Sequence, residues 1–186
     1  VNTQQRKLGS NRLLFVGQSF YLSGALELIA CVRSLREKGS NFEVDIVGID
    51  PYLIDARYSW LKVHGYLDKE KTEDKSKYYE LLSDARLFVN TTPGWSGFQA
   101  VLEAMYFYTP IVVRPNDTLS SYFLNLKEFA YLLEEGGGAL EDIISSSFLD
   151  KERDRSMSTA AHQSVDSSTW SNFTEHVIRL ISSGKL

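Results

Sequence analysis

The sequence predicts an α/β fold: a doubly wound parallel sheet with helices on both faces and a helical C-terminal tail. Three observations carry that prediction. Short apolar runs of β type alternate with amphipathic helical stretches at least five times along the chain, a pattern that gives a parallel sheet covered by helices. The connections between them have the length usual in such units. The runs are apolar almost throughout, as in RLLFVG at 12–17, which suits strands buried on both faces. With 186 residues, 43% of them hydrophobic, the chain can build one compact domain with a full core and leaves little room for a second.

Taken in order, residues 1–11 (VNTQQRKLGSN) lack apolar periodicity and begin with Val rather than Met. They read as a linker entering the domain, 12–186, from a longer protein. The first strand, 12–17, ends on Gly17, and the loop QSFYLS follows. Residues 25–38 (ALELIACVRSLREK) form an amphipathic helix with Leu26, Ile29, Ala30, Val32 and Leu35 as its inner stripe, closed by Gly39. Residues 42–49 (FEVDIVGI) are the second strand, ended by Asp50-Pro51. A short helix is expected within 52–60, and 61–67 (LKVHGYL) is the third strand. DKEKTEDKSK at 68–77 reads as a solvated surface stretch leading into a helix over 77–85. The fourth strand is 86–91 and the fifth 110–114. Asp117 or Thr118 can cap a helix over 119–126. Residues 129–133 form a weak sixth strand, and helices over 139–149, 151–164 and 169–182 close the chain.

Between the fourth and fifth strands, the stretch 90–113 (NTTPGWSGFQAVLEAMYFYTPIVV) is the one the rest is arranged around. A strand, a Gly-containing turn and a helix opening near Gly97 bring unpaired backbone N–H groups and a helix dipole to one place, a natural anion site. Ser96, Gln99 and Glu103 share one helix face, and Phe98, Val101, Leu102 and Met105 face the core. Seven helical residues rise roughly 10 Å, so a phosphate near Ser96 and a sugar hydroxyl near Glu103 have the spacing of two parts of a nucleotide. The alternative is an ordinary amphipathic helix with a solvated Glu. In a doubly wound sheet, ligands sit beyond the carboxyl ends of the strands where strand order reverses. The loops after Gly17, Ile49, Leu67, Thr91 and Arg114 lie on that rim.

Composition narrows the partners. A net charge of −4 without a basic run argues against nucleic acid or an anionic membrane. Cys31 is the one cysteine, which excludes disulfides and cysteine-rich zinc sites and fits a reducing compartment. No apolar run has transmembrane length, and no signal peptide is visible. His64 reads as a packed or half-exposed strand residue. His162 and His176 have no acid or second His at metal-ligand spacing, so no metal is expected. The Gly136-Gly137-Gly138 run lacks the Lys-Ser/Thr of a phosphate loop and reads as a turn. Trp95, inside the candidate binding turn, is placed to stack on a sugar or to pack in the core.

The runs LLFVGQSFYLSGALELIACVRSL, FEVDIVGIDP, LKVHGYLDKE and SDARLFVNTTPGWSGFQAVLEAMYFYTPIVV together resemble the C-terminal, nucleotide-sugar-binding half of a retaining "group 1" GT-B glycosyltransferase. The resemblance covers residues 12–115 well and the tail loosely. Its most specific parts are the Gly-Phe turn running into Leu102-Glu103-Ala104-Met105 and the Thr109-Pro110 step. It implies a Rossmann-like domain gripping a UDP- or GDP-sugar. The hexose would pass with retention, and without a metal or other cofactor, to a saccharide acceptor held by an N-terminal domain absent from this chain. It also implies a role in polysaccharide biosynthesis in the cytoplasm or at the cytoplasmic face of a membrane.

By the same resemblance, Glu103 would accept hydrogen bonds from ribose hydroxyls. Ser96, Gly97, Phe98 and Gln99 would offer backbone N–H groups to the diphosphate or sugar. Gly17 and Gln18 would close over the phosphates, and Gly65, within the strand end 63–66, would lie against the base. Three positions depart from the family pattern. Gln18 and Ser23 stand where diphosphate-binding Arg and Lys are usual, and Trp95 or Ser96 stands in place of the first Glu of the turn. Arg114, ending the fifth strand on the rim, is the candidate replacement cation. No catalytic side chain is assigned. A degenerate, non-catalytic GT-B domain with an assembly role is the rival reading, and a GT-B epimerase or phosphorylase half shares the scaffold.

Overall fold

The computed structural model describes residues 3–96, 98–134 and 140–166. Six parallel strands form one sheet: β1 (Arg12–Val16), β2 (Glu43–Val47), β3 (Leu61–Val63), β4 (Leu87–Asn90), β5 (Ile111–Val113) and β6 (Ala130–Leu132). Their order is β3-β2-β1-β4-β5-β6, the doubly wound arrangement expected, with the direction of winding reversing between β1 and β4. β4 and β5 are buried along their whole length, which explains why their sequence is apolar without alternation.

Seven helices accompany the sheet among the described residues: α1 (Thr3–Leu8), α2 (Leu22–Glu37), α3 (Thr72–Asp84), α4 (Phe98–Tyr106), α5 (Asp117–Tyr122), α6 (Leu140–Leu149) and α7 (Lys151–Asp166). Several differ from expectation for physical reasons. The residues read as a linker contain α1. It is held by Lys7, whose buried ammonium donates to Leu82 O at 2.6 Å, Ala85 O at 2.7 Å and Thr109 Oγ1 at 2.6 Å. Two of those acceptors are carbonyls at the C-terminal end of α3, which lack intrahelical partners. A single anchoring cation leaves no periodicity to read.

In α2 the inner stripe is Gly24, Ala25, Leu28, Cys31, Val32 and Leu35, while Leu26 is exposed. The helix starts three residues earlier than its apolar pattern suggested, and Ala30 of the expected stripe is exposed as well. α3 opens at Thr72 rather than 77, inside the charge-rich run, where Glu73 and Asp74 favour the positive end of the helix. β3 ends at Val63, shorter than the 61–67 expected, and Gly65 then adopts φ +67°. α5 is capped by Asn116, not Asp117 or Thr118; its side chain accepts from Thr118 N at 3.0 Å and Leu119 N at 3.2 Å.

The C-terminal helices are fastened to the sheet through Arg86, just before β4. Its Nε donates to Asp154 Oδ2 of α7 at 3.0 Å, and its guanidinium lies 4.2 Å over the Phe148 ring of α6. α7 also packs on α1, α4 and α6. Expectations for Gly97, Gly136 to Gly138, His176 and the helix over 169–182 fall outside the described residues.

Candidate functional site

Because all strands run parallel, the ends of β1, β2, β3 and β4 meet on one rim. Hydrogen bonding continues past the strands: Gly17 N donates to Val47 O at 3.0 Å and Gly48 N to Gly65 O at 2.7 Å. Gly48 has φ +88°, and a Cβ there would lie 2.5 Å from Gly17 O, so only glycine lets these two loops touch. Likewise, a Cβ on Gly24 would sit 2.3 Å from Thr92 Oγ1, which seats the first turn of α2 against the loop after β4. A cleft of about 260 Å³ remains at the point where strand order reverses. Gly17, Gln18, Phe20, Tyr66, Lys69 and Glu103 are among the residues that line it.

Glu103 sits in the middle turn of α4, and its carboxylate is held on both oxygens. Oε1 accepts from Lys69 Nζ at 2.7 Å and from Gln99 Nε2 at 3.2 Å. Oε2 accepts from Lys69 Nζ at 3.0 Å and from the Tyr78 hydroxyl at 2.5 Å. Lys69 Nζ also lies 4.5 Å from the centre of the Tyr78 ring. Burial, followed by the hydrogen bond and charge of Glu103, raises the Tyr78 pKa, so its hydroxyl stays a donor to Glu103 at any physiological pH. The group is an oriented carboxylate and a cation in a shallow cleft. Two exposed rings, Phe20 and Tyr66, stand at its mouth with 68% and 80% of their surface free.

The structure brings together Gly17, Gln18, Gln99 and Glu103 along this cleft. Gly65 adjoins it through the Gly48 bond but does not line it. Ser96 is outside the lining, and its N–H is already bound by the Tyr21 hydroxyl at 3.1 Å. Phe98 N donates to Ser96 O at 3.1 Å, so the N–H groups of Ser96 and Phe98 are spent within the protein. Arg114 also stands apart. Its Nε donates to Thr91 O at 2.6 Å and its Nη2 pairs with Glu27 at 3.0 Å, a strand-end Arg paired with an acid rather than a cation facing the cleft.

Trp95 is only 1% exposed, with Nε1 donating to Arg114 O at 3.4 Å and its ring against Phe98. It packs in the core and cannot stack on a sugar. Lys69 and Tyr78 are the cleft residues that sequence reasoning missed. Lys69 was hidden in a run of exposed charges, and Tyr78 occupies an apolar position of an amphipathic helix. The one available signal was that Lys69 follows the third strand on the ligand rim.

His64 is fixed by a 2.7 Å contact from Nε2 to Asp45 Oδ1, and Asp45 is also held by Arg12 at 3.1 Å. Among the described residues no His, Cys, Asp and Glu cluster could hold a metal ion, and no helix is long and apolar enough to cross a membrane.

No protein-family model matches the sequence, and no curated protein matches it. Solved structures do match its fold. HepE from Anabaena, solved in complex with UDP and glucose, superposes with a TM-score of 0.69 at 14% identity over 96% of this chain and 50% of that one. Sucrose-phosphate synthase from Thermosynechococcus elongatus gives 0.68 at 18% identity over 95% of this chain and 46% of the enzyme. The C-terminal domain of the group 1 glycosyl transferase LpcC from Francisella tularensis gives 0.64 at 14% identity, over 89% of this chain and 92% of that domain. The fold matches that of GT-B C-terminal domains. This chain therefore spans about half the length of the two longer proteins and nearly all of the isolated LpcC domain.

Proposed function

We propose that this chain is the donor-binding domain of a retaining GT-B glycosyltransferase. It holds a UDP- or GDP-sugar while a second domain presents a saccharide acceptor. One observation carries the reading: the cleft lies where strand order reverses, and Glu103 stands in it on the helix that follows β4. A carboxylate there suits a ribose diol, the strand ends lie within reach of a base, and Phe20 and Tyr66 offer faces on which rings can stack. HepE, which shares the fold, was solved with UDP and glucose. The volume of about 260 Å³ falls just below the usual range for small-molecule sites, as suits half of an interdomain cleft.

Within that reading the domain orients the donor and the chemistry is electrostatic, with no metal and the acceptor hydroxyl attacking from the other domain. Alone, the domain binds donor and turns it over poorly. Its expected setting is polysaccharide biosynthesis in the cytoplasm.

A second reading has support of its own. Gln18 faces the cleft where the resemblance led one to expect Arg, and Lys69, the single cation among the described lining residues, is committed to Glu103. A departing diphosphate then lacks the preorganised cations that lower its barrier by several kcal/mol. A GT-B domain that binds nucleotide and serves in assembly fits these facts. Calorimetric titration of UDP, GDP and their sugars into the 186-residue chain tests the donor site. Saturable binding by one nucleotide series is expected; no heat from any of them at about millimolar concentration, the weak end of specific affinity, would sink the proposal.

A further inference from the structure

An ionised carboxylate offers about four lone-pair positions. Those of Glu103 receive four contacts: two from Lys69, one from Gln99 and one from Tyr78. A diol can bind this carboxylate only by displacing a donor already there. Tyr78 is buried and its hydroxyl is committed. Gln99 makes the longest of the four bonds and carries no charge. Lys69 is the mobile charge: its side chain is 37% exposed, it ends on a four-carbon stem, and it is the single cation among the described residues lining the cleft. Arg114, at the end of β5, is already held by Glu27 and Thr91 O.

Resting on the donor-site reading, we propose that the Lys69–Glu103 pair is an exchangeable latch. A nucleoside diol takes over Glu103, and the released Lys69 ammonium moves to the phosphates of the same ligand. The cleft thereby supplies a diphosphate cation from the loop after β3 instead of from Gln18 or Ser23. The cost of parting the pair is small, because both groups keep access to water and an ammonium trades one anion for another. Lys69 is in this sense a specificity residue, making the site select nucleoside diphosphates over nucleosides.

The latch makes a prediction that an ordinary supporting role does not. Without Lys69, Glu103 is free for the diol but the phosphates lose their cation. In Lys69→Met the affinity for UDP or GDP should fall about tenfold, the loss of one charge-assisted contact, while uridine or guanosine binds as well as before or more tightly. Lys69→Arg should restore most of the preference for the diphosphate. Both variants and the parent chain are titrated by calorimetry with uridine, UDP, guanosine and GDP, with circular dichroism to verify the fold. If Lys69→Met weakens nucleoside and diphosphate equally, or changes neither, the latch is wrong although the donor site stands. If the parent chain binds none of the four, the donor-site reading fails and the latch falls with it.

Discussion

Arg86 and Asp154 meet at 3.0 Å with 7% and 4% of their side chains exposed, whereas Lys69 and Glu103 meet at 2.7 Å with 37% and 24% exposed. Each pair joins elements distant in sequence. The first closes a seam between the sheet and the C-terminal helices, and water does not reach it. The second lies at the rim of the sheet, where either partner can be solvated or can trade its partner for a ligand. Burial converts the first into a fastening whose breakage is expensive, because a lone charge would be left in the interior. Exposure leaves the second replaceable. The same chemistry thus serves structure in one place and is available for binding in the other.

Breaking the sealed pair should give the largest effect. Asp154→Ala leaves Arg86 buried without an anionic partner, with long carbonyl contacts to Ser147 O at 3.5 Å and Phe148 O at 3.4 Å and the face of the Phe148 ring. It should lower the unfolding free energy by about 3–5 kcal/mol, read from chemical denaturation. The comparison breaks if Lys69→Met destabilises the chain by as much, since the open pair would then also be a structural fastening.

The next effect is on binding. Glu103→Ala should weaken nucleotide binding by about 1–3 kcal/mol through lost charge-assisted hydrogen bonds, with a much smaller change in stability. Calorimetry and denaturation on the same sample separate the two. An unchanged affinity would remove Glu103 from the site and leave its four contacts as ordinary helix-surface packing.

The same contrast explains what could be read from the sequence. The sheet was legible because parallel strands buried on both faces are mostly apolar without alternation, so 87–89 and 111–113 announce themselves. The position of Glu103 on the cleft was legible because the helix that follows β4 starts on the rim and turns this residue toward it. Its partners were not. Lys69 lies in a charged run, and nothing in that composition separates a Lys facing a cleft from one facing water. The seam was equally silent: Lys7 and Arg86 are single buried cations whose acceptors lie 75 and 68 residues away. Trp95 and Arg114 show the converse error. Each stands near the rim at a position suited to ligand contact, but Trp95 is spent on core packing and the Arg114 carbonyl, and the Arg114 guanidinium on Glu27 and the Thr91 carbonyl.

The smallest effect, and the sharpest test of the burial argument, is the pH dependence of two carboxylates on the C-terminal helices. Burial holds the Asp154 carboxyl above its ordinary range, although Arg86 pulls the other way. A raised native pKa means that the folded state binds the proton more tightly. The contribution of Asp154 to stability is therefore full below its unfolded value of about 4 and is lost as pH rises through the raised one. Glu141, at the start of α6, is lowered by its hydrogen bond to Lys38, so its contribution is present above its unfolded value and lost as pH falls through the lowered one. Denaturation midpoints of the parent chain, Asp154→Asn and Glu141→Gln, followed across the acid range to neutrality, should show these differences with opposite slopes. The parent's advantage over Asp154→Asn should shrink as pH rises, and its advantage over Glu141→Gln should shrink as pH falls. Parallel slopes would mean that Arg86 outweighs desolvation in the interior, and the sealed pair would then be a conventional stabilising ion pair, distinguished from the open one only by the cost of breaking it.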